Sequence, residues 1–493
     1  MRAVTAGLKT AGACTGVMGG CGSSDSVADG NVQAAWAALP VADRLRVVRR
    51  ARQMMAARAG EIAAAISPSL VRTKTDTLLA EVLPLLDACK FLEREAVRVL
   101  APRKLGRRGR PLWFYGVVAE IHREPLGHVL VIGPSNFPLF LPGVQTMQAL
   151  VAGNTVTWKP GVGGGAVARM VAEVMREAGL PSDVLTVTDE SVDAARNAMA
   201  VGADKVIFTG SSGNGQSVLA ELSRTSTPAV VELSGADAVV VTPSADLPQV
   251  AKAVAFGLRL NGGAVCMSPR RLFAERGTMA RLRPLLEAEL AKVSAVVLDS
   301  RTGARLESLL DEAVNAGAVL RGESNAEAQR PVLVDKATVG MSITRSEFFA
   351  PVLALIEVGS MLQVPELYAQ CPYGLAVSIF CDKKNEKKAR VLAGLLKAGT
   401  VLINDVIAPT ADPRVPFGGR GDSGYGVTRG AEGLLEMTAV KTLLVRRGGS
   451  MRHLDATSDD DAATVGALIG TVHGGDLSTR WNAVKRVFTS ARR

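Results

Sequence analysis

The sequence predicts an α/β fold built on parallel sheets, and three observations carry that prediction. Five short β-rich runs, "HVLVIGP", "NTVTWKP", "VLTVTD", "KVIFTG" and "PAVVELSG", alternate with helical segments, the rhythm of parallel strands joined by crossover helices. Glycine is abundant at 50 residues while aromatics make up only 4%, a balance that suits tight βα turns better than a β-sandwich. The length of 493 residues exceeds what one hydrophobic core organises, and 47% hydrophobic residues can fill two or three.

Taken in order, the first segment is small-residue and Gly-rich, "MRAVTAGLKTAGACTGVMGGCGSSDSVADG". The apolar stretch before "VMGGC" is broken by Gly and Thr, so residues 1–30 are expected to be a flexible extension rather than a leader. Apolar residues then recur at three- and four-residue intervals from Asn31 to Ala101, a helical pattern. The segment "PLWFYGVVAEIHREPLG" (111–127) alternates partially and stops at Pro-Leu-Gly, which predicts a hairpin arm leading into the first core strand. After the five strands a second βα set starts near "AVVVTP" (238–243) and continues to "VLIND", its first helix "DLPQVAKAVAFGLRL" ending just before "NGGAVC". The chain closes with an acidic run and a basic helix that sets Trp481, Val484, Val487 and Phe488 on one face, suited to docking on its own subunit, to a partner groove or to an anionic membrane.

Composition excludes several classes of function. Cys14, Cys21, Cys89, Cys266, Cys371 and Cys381 show no CxxC spacing, and His122, His128, His453 and His473 never sit at metal-ligand intervals, so neither a metal site nor a disulfide framework is expected. Scattered thiols point to a reducing compartment, the cytoplasm. The formal charge of +10 is diffuse, and its clusters "RLRVVRRARQ" and "RKLGRRGR" do not interleave with stacking aromatics, so no nucleic-acid partner is expected. No apolar run reaches the roughly 18 residues needed to span a bilayer.

In parallel sheets ligands bind beyond the carboxyl ends of the strands, so the residues just after each run carry the information. "GPSNFP" offers Pro134, Ser135 and Asn136; "WKPG" offers Lys159; "FTGSSGNG" offers Gly210, Ser211 and Gly215; "VELSG" contains Glu232; and "NGGAVC" ends in Cys266. Each has an ordinary reading too. A free cysteine is usually a small buried hydrophobe, an Asn beside Pro suits a turn, and a strand-end carboxylate is often just solvated.

Eight ordered motifs, "GPSNFP", "ALVAGNTVTWKP", "VIFTGSSGNG", "VELSG", "NGGAVC", "EFFAP", "VLIND" and "PFGGRGDSGYG", together resemble the aldehyde dehydrogenase superfamily over about residues 31–447. Glu232 precedes Cys266 by 266 − 232 = 34 positions, which suits the family pattern. The resemblance implies an α/β, aldehyde dehydrogenase-like fold: a Rossmann-type cofactor domain (31–106 and 126–233), an α/β catalytic domain (234–428), a small β oligomerisation arm (107–125 and 429–448) and a C-terminal tail (449–493). It further implies NAD(P)-dependent oxidation of an aldehyde to a carboxylic acid in a homodimer or homotetramer.

The same resemblance assigns the roles. Cys266 is the nucleophile that forms a thiohemiacetal and then a thioester. The Asn136 amide and the Cys266 backbone N–H hold the oxyanion, and Glu232 is the general base for water. Lys159 reaches the adenosine ribose, Ser211 and the helix opening at Asn214 and Gly215 take the pyrophosphate, and Glu347 with Phe349 holds the nicotinamide ribose. Many members carry Glu three residues after the lysine. Val162 stands there instead, so NADP should be accepted and even preferred over NAD. A CoA-acylating enzyme is the alternative within the family, though Glu232 would have little to do there. Outside it stands an inactive scaffold, or a membrane- or partner-binding protein, on the same fold. The run Gly262-Gly263-Ala264 should leave space around a nucleophile on a loop.

Overall fold

The structure, a computed structural model, describes residues 25–70, 72–448, 451–457 and 459–490. The calls on Cys14 and Cys21 and most of the extension lie outside the described residues. The chain divides into two compact units, one of residues 1–101 and 122–441 and one of residues 102–121 and 442–493.

The larger unit holds two sheets. Strands β1 (Arg103–Leu105) and β2 (Val117–Pro125) belong to the arm, and the core begins at β3 (His128–Ile132), β4 (Thr155–Lys159), β5 (Leu185–Val187), β6 (Lys205–Gly210) and β7 (Ala229–Leu233). These five are the five β-rich runs, and they pair in parallel in the order β7-β6-β3-β4-β5. The second sheet contains β8 (Asp237–Val241), β9 (Pro269–Glu275), β10 (Val319–Arg321), β11 (Val332–Asp335), β12 (Val352–Val358), β13 (Ala376–Phe380) and β14 (Thr400–Ile403), ordered β10-β11-β12-β9-β8-β13-β14. Only β10 runs antiparallel there. Both sheets are covered by helices, which is why their central strands read as apolar runs without alternation: β8 and β13 are buried at every position.

One late segment closes the cofactor sheet. Strand β15 (Gly424–Tyr425), from "RGDSGYG", pairs antiparallel with β7 and sets Gly424 opposite Glu232. A Cβ on Gly424 would lie 1.9 Å from the Val231 carbonyl oxygen, so the approach requires glycine.

In the smaller unit β1 pairs antiparallel with β2, Leu105 opposite Ala119. The expected hairpin therefore has its first strand at 103–105, before "PLWFYG" rather than within it. The arm's third strand is β16 (Thr438–Arg446), and residues 430–436 form a helix ahead of it, so the strand content of the arm starts later than residue 429. The helix Leu477–Ser490 lies against the helix Asp459–His473, with Ala483 close to Gly470. Trp481 stays exposed, and the side chains of Val487 and Phe488 lie outside the described residues.

The boundary at residue 30 also moves. A helix spans Asp25–Ala38, and Trp36 anchors it by burying its ring and donating to the Leu150 carbonyl at 2.9 Å. Gly30 reads as a helix breaker in sequence, yet one glycine costs only about 1 kcal/mol against alanine, less than a buried tryptophan returns. No helix among the described residues is long and apolar enough to cross a membrane.

Candidate active site

The nucleophile loop is built from a helix end and three residues of left-handed backbone. The helix Leu247–Arg259 is followed by Asn261, Gly262 and Gly263 at φ 52°, 62° and 80°, and Cys266 then lies in a turn before β9. Cys266 lies on a loop and borders open space, but the glycines before it are tightly packed. A Cβ on Gly263 would lie 2.8 Å from the Ala350 carbonyl carbon, and one on Gly262 would lie 3.0 Å from the Val296 side chain. The glycines are there because buried backbone passes through left-handed conformations against other backbone, which side chains would block.

Four buried groups fix this loop to its surroundings. Asn136, just beyond β3, donates from Nδ2 to the Ala264 carbonyl at 3.0 Å. Asn261 donates from its own Nδ2 to the Asn136 carbonyl and to the Ala264 carbonyl, both at 3.1 Å. An amide carries two N–H groups, so Asn136 keeps a second donor. Behind the loop, Arg270 donates to the carbonyls of Gly263 and Ala350 and stacks 4.7 Å from the centre of Phe348. Burial lowers its pKa to about 9. Buried Glu81, paired with Arg72 at 2.8 Å, accepts from the backbone N–H groups of Leu139 and Phe140 and so holds the segment after Asn136.

Glu232, the fourth residue of β7, is buried. Its Oε2 accepts from Thr209 Oγ1 at 3.4 Å and lies 3.5 Å from Gln145 Nε2, while Oε1 has no partner. Burial pushes its pKa up to about 7, against the opposing pull of Arg429 and the hydroxyls of Thr209 and Thr428. Half-buried Cys266 feels burial first and then the charges of Glu232 and Asp237, all raising its pKa, with Arg429 and the Met267 N–H opposing. The thiol is therefore not activated by a lowered pKa of its own.

Cys266 opens on a cavity of about 400 Å³ walled chiefly by Phe137, Phe140, Phe256 and Phe417, with Arg429 also in its lining.

The expected cofactor residues cluster at the ends of the first sheet. Lys159 ends β4 as a buried ammonium, its pKa lowered by burial and held up by the facing charges of Asp189 and Glu190. Gly210 ends β6, and Ser211 caps the helix Ser212–Leu222, its hydroxyl accepting from Asn214 N at 3.4 Å. At that helix start a Cβ on Gly213 would meet nothing within 4 Å, which gives a phosphate room, while Ser212 N and Asn214 N are engaged by Glu347 and Ser211. Gly215 has a different use: a Cβ there would lie 2.6 Å from Leu233, so it lets the helix pack on β7. Glu347 accepts from Ser212 N at 3.2 Å and Ser212 Oγ at 3.1 Å, which joins the "EFFAP" loop to this helix. Phe349 is half-exposed, Pro134 is buried and Ser135 is exposed. Val162 is 72% exposed and offers no carboxylate. However, Glu190 accepts from Gly163 N and Gly165 N at 2.8 and 2.7 Å in the same loop, so carboxylate charge is present after all. Room beside Gly213 at a helix N-terminus, a buried lysine at the end of β4 and an acid beside that helix together fit a nicotinamide dinucleotide.

The profile of the aldehyde dehydrogenase family matches residues 26–443. The chain belongs to the aldehyde dehydrogenase family. This aldehyde dehydrogenase is 31% identical to a vanillin dehydrogenase of Pseudomonas fluorescens, over 68% of this chain and 72% of that one. It superimposes on the NADP complex of an NADP-dependent glyceraldehyde-3-phosphate dehydrogenase from Bacillus halodurans with TM-score 0.77 and 26% identity, covering 86% of this chain and 91% of that one. An NAD+ complex of a Mycobacterium tuberculosis aldehyde dehydrogenase gives TM-score 0.77 and 25% identity over the same shares, 86% and 91%. The protein is thus an NAD(P)-dependent oxidoreductase acting on aldehydes.

Sequence reasoning passed over Asn261, Arg270, Gln145, Glu81, Glu190 and Arg429. The Asn-Gly-Gly turn was a signal for Asn261, because Asn tolerates left-handed φ better than other side chains. A buried arginine has no comparable pattern.

Proposed function

We propose that this aldehyde dehydrogenase oxidises an apolar-bodied aldehyde to its acid through a thioester on Cys266. The observation that supports the reading is that the charge of buried Glu232 acts on the Cys266 thiol while the Asn136 amide is bonded to the Ala264 carbonyl two residues before it. Because the thiol pKa is raised, its proton must be taken by a base, and Glu232 with a pKa of about 7 is matched to neutral pH. Glu232 carries the proton away as Cys Sγ bonds to the carbonyl carbon, giving a thiohemiacetal. The second N–H of Asn136 and the Cys266 backbone N–H stabilise its oxyanion. NAD(P)+, when bound, supplies the hydride acceptor. Once it has passed the thiol's proton to solvent, Glu232 takes a proton from water, whose oxygen displaces the thiolate from the thioester and releases the acid. That role favours hydrolysis over acyl transfer to CoA.

The aromatic cavity wall and the vanillin dehydrogenase relative support an apolar or aromatic substrate body. Val162 leaves room for a 2′-phosphate while Glu190 opposes it, so NAD and NADP both serve, with efficiencies within about tenfold of each other. The thiols favour the cytoplasm. Exposed Trp113, Phe114, Tyr115, Leu443 and Leu444 on the arm support a homodimer or homotetramer.

One experiment tests the reading: reduction of NAD and NADP by wild type and Cys266→Ala on a benzaldehyde and alkanal panel, with the same preparations run by sedimentation velocity. Wild type turns over with both cofactors as a dimer or larger, and the variant loses on the order of 10⁴-fold or more. A variant as active as wild type contradicts the mechanism.

A further inference from the structure

The substrate cavity is apolar except at one point. Among its lining residues the charged ones are Asp76 and Arg429, and Asp76 is neutralised by Arg259 at 3.0 Å. Arg429 is only 4% exposed. Its guanidinium packs 4.3 Å from the centre of the Phe417 ring and 5.4 Å from that of Phe140, donates to the Thr410 carbonyl, and leaves Nε without a partner. Among the described residues no carboxylate stands within ion-pair distance of it.

The backbone there is strained as well. Arg429 sits at φ 63° and ψ 173°, a region otherwise almost confined to glycine. It is held by Gln148, whose Oε1 accepts from Arg429 N at 3.3 Å and whose Nε2 donates to the Gly430 carbonyl at 3.1 Å. A buried cation with no direct ion-pair partner, only the longer-range charge of Glu232, and aimed by a strained and clamped backbone, is poorly compensated until an anion completes it.

We propose that Arg429 anchors an anionic substituent of the substrate, so that the aldehydes this enzyme selects carry a carboxylate. The inference rests on the cavity beside Cys266 being the aldehyde site. The apolar wall holds the substrate's carbon body, and the guanidinium takes the carboxylate through N–H donors that water would otherwise satisfy poorly in this enclosure. The charge count supports it. Of the two charged lining residues Asp76 is paired with Arg259, which leaves Arg429 as the charge on the cavity wall without a salt-bridge partner among the described residues.

The test compares matched pairs with the full-length enzyme: para-carboxybenzaldehyde with benzaldehyde, and ω-oxo acids with alkanals of equal length. Wild type should favour the carboxylated member in kcat/KM by at least about thirtyfold, mostly through KM, and Arg429→Met should erase that preference. Arg429→Lys keeps the charge and should retain part of it, so the comparison stands even where Arg429→Met fails to fold. A wild type that favours the neutral member overturns the proposal. So does an R429M enzyme that loses equally on both members, since that pattern would make Arg429 a partner of Cys266 and not of the substrate. If no aldehyde of either kind is oxidised, the reaction reading itself fails, a result distinct from turnover without preference.

Discussion

Burial, outweighing the pull of Arg429 and two threonine hydroxyls, would give a Glu232 acting as the proposed base a pH dependence near neutrality. Its carboxyl has one oxygen unpartnered, and burial holds its pKa near 7 where an exposed glutamate would titrate near 4.5. A folded-state pKa above the unfolded one means that the folded state binds this proton more tightly. Its contribution to stability is therefore full below about 4.5 and is lost as pH rises through about 7. Activity should move the opposite way, with kcat rising through pH about 7 as the base ionises. In Glu232→Gln, kcat should fall by about 10²–10⁴, the rise near neutrality should vanish, and stability should decline less between these pH values. Denaturant unfolding and kcat across the pH range check both halves. A variant with the wild-type pH profile would remove Glu232 from the mechanism.

At the scale of elements, the site depends on backbone brought against backbone. The nucleophile turn reaches Ala350 through Gly263, and Arg270 bridges the carbonyls of the same two segments. Gly263→Ala meets both the 2.8 Å contact and the left-handed φ of 80°, and should destabilise by about 1–3 kcal/mol while lowering kcat. Gly277, within the helix Arg276–Leu290, has nothing within 4 Å of an added Cβ. Its alanine variant should match or exceed wild-type stability, since alanine is the better helix former. Thermal unfolding of the two variants side by side checks the contrast, and equal behaviour would refute the packing account of the turn.

Over the whole molecule, legibility in the sequence followed the strand ends. Parallel strands leave their functional groups in Gly-, Pro- and Asn-rich turns, so Asn136, Lys159, Ser211 and Glu232 stood out before any coordinates. What stayed hidden depends on packing across long sequence separations. Val162 suggested a cofactor loop without acid, but Glu190, 28 positions on (190 − 162), folds back onto that loop. Gly262 and Gly263 suggested space because glycine is small, whereas their left-handed φ, with the Val296 side chain against Gly262 and the Ala350 backbone against Gly263, is why they are glycine. Arg429 falls three positions past the motif "PFGGRGDSGYG", where no sequence signal marks it, yet it lines the cavity that Cys266 borders.

The proposed mechanism puts the acyl group on Cys266 and needs Glu232 both to form and to release it. Rapid mixing of wild type and of Glu232→Gln with NAD or NADP and an aldehyde that wild type oxidises, followed by quenching and peptide mass analysis, tests both together. Wild type should form an acyl adduct on the peptide containing Cys266 in step with reduced cofactor, up to about one per site, and Glu232→Gln should slow both its formation and its loss. An adduct elsewhere, or product formation with Cys266 unmodified throughout, would contradict the mechanism.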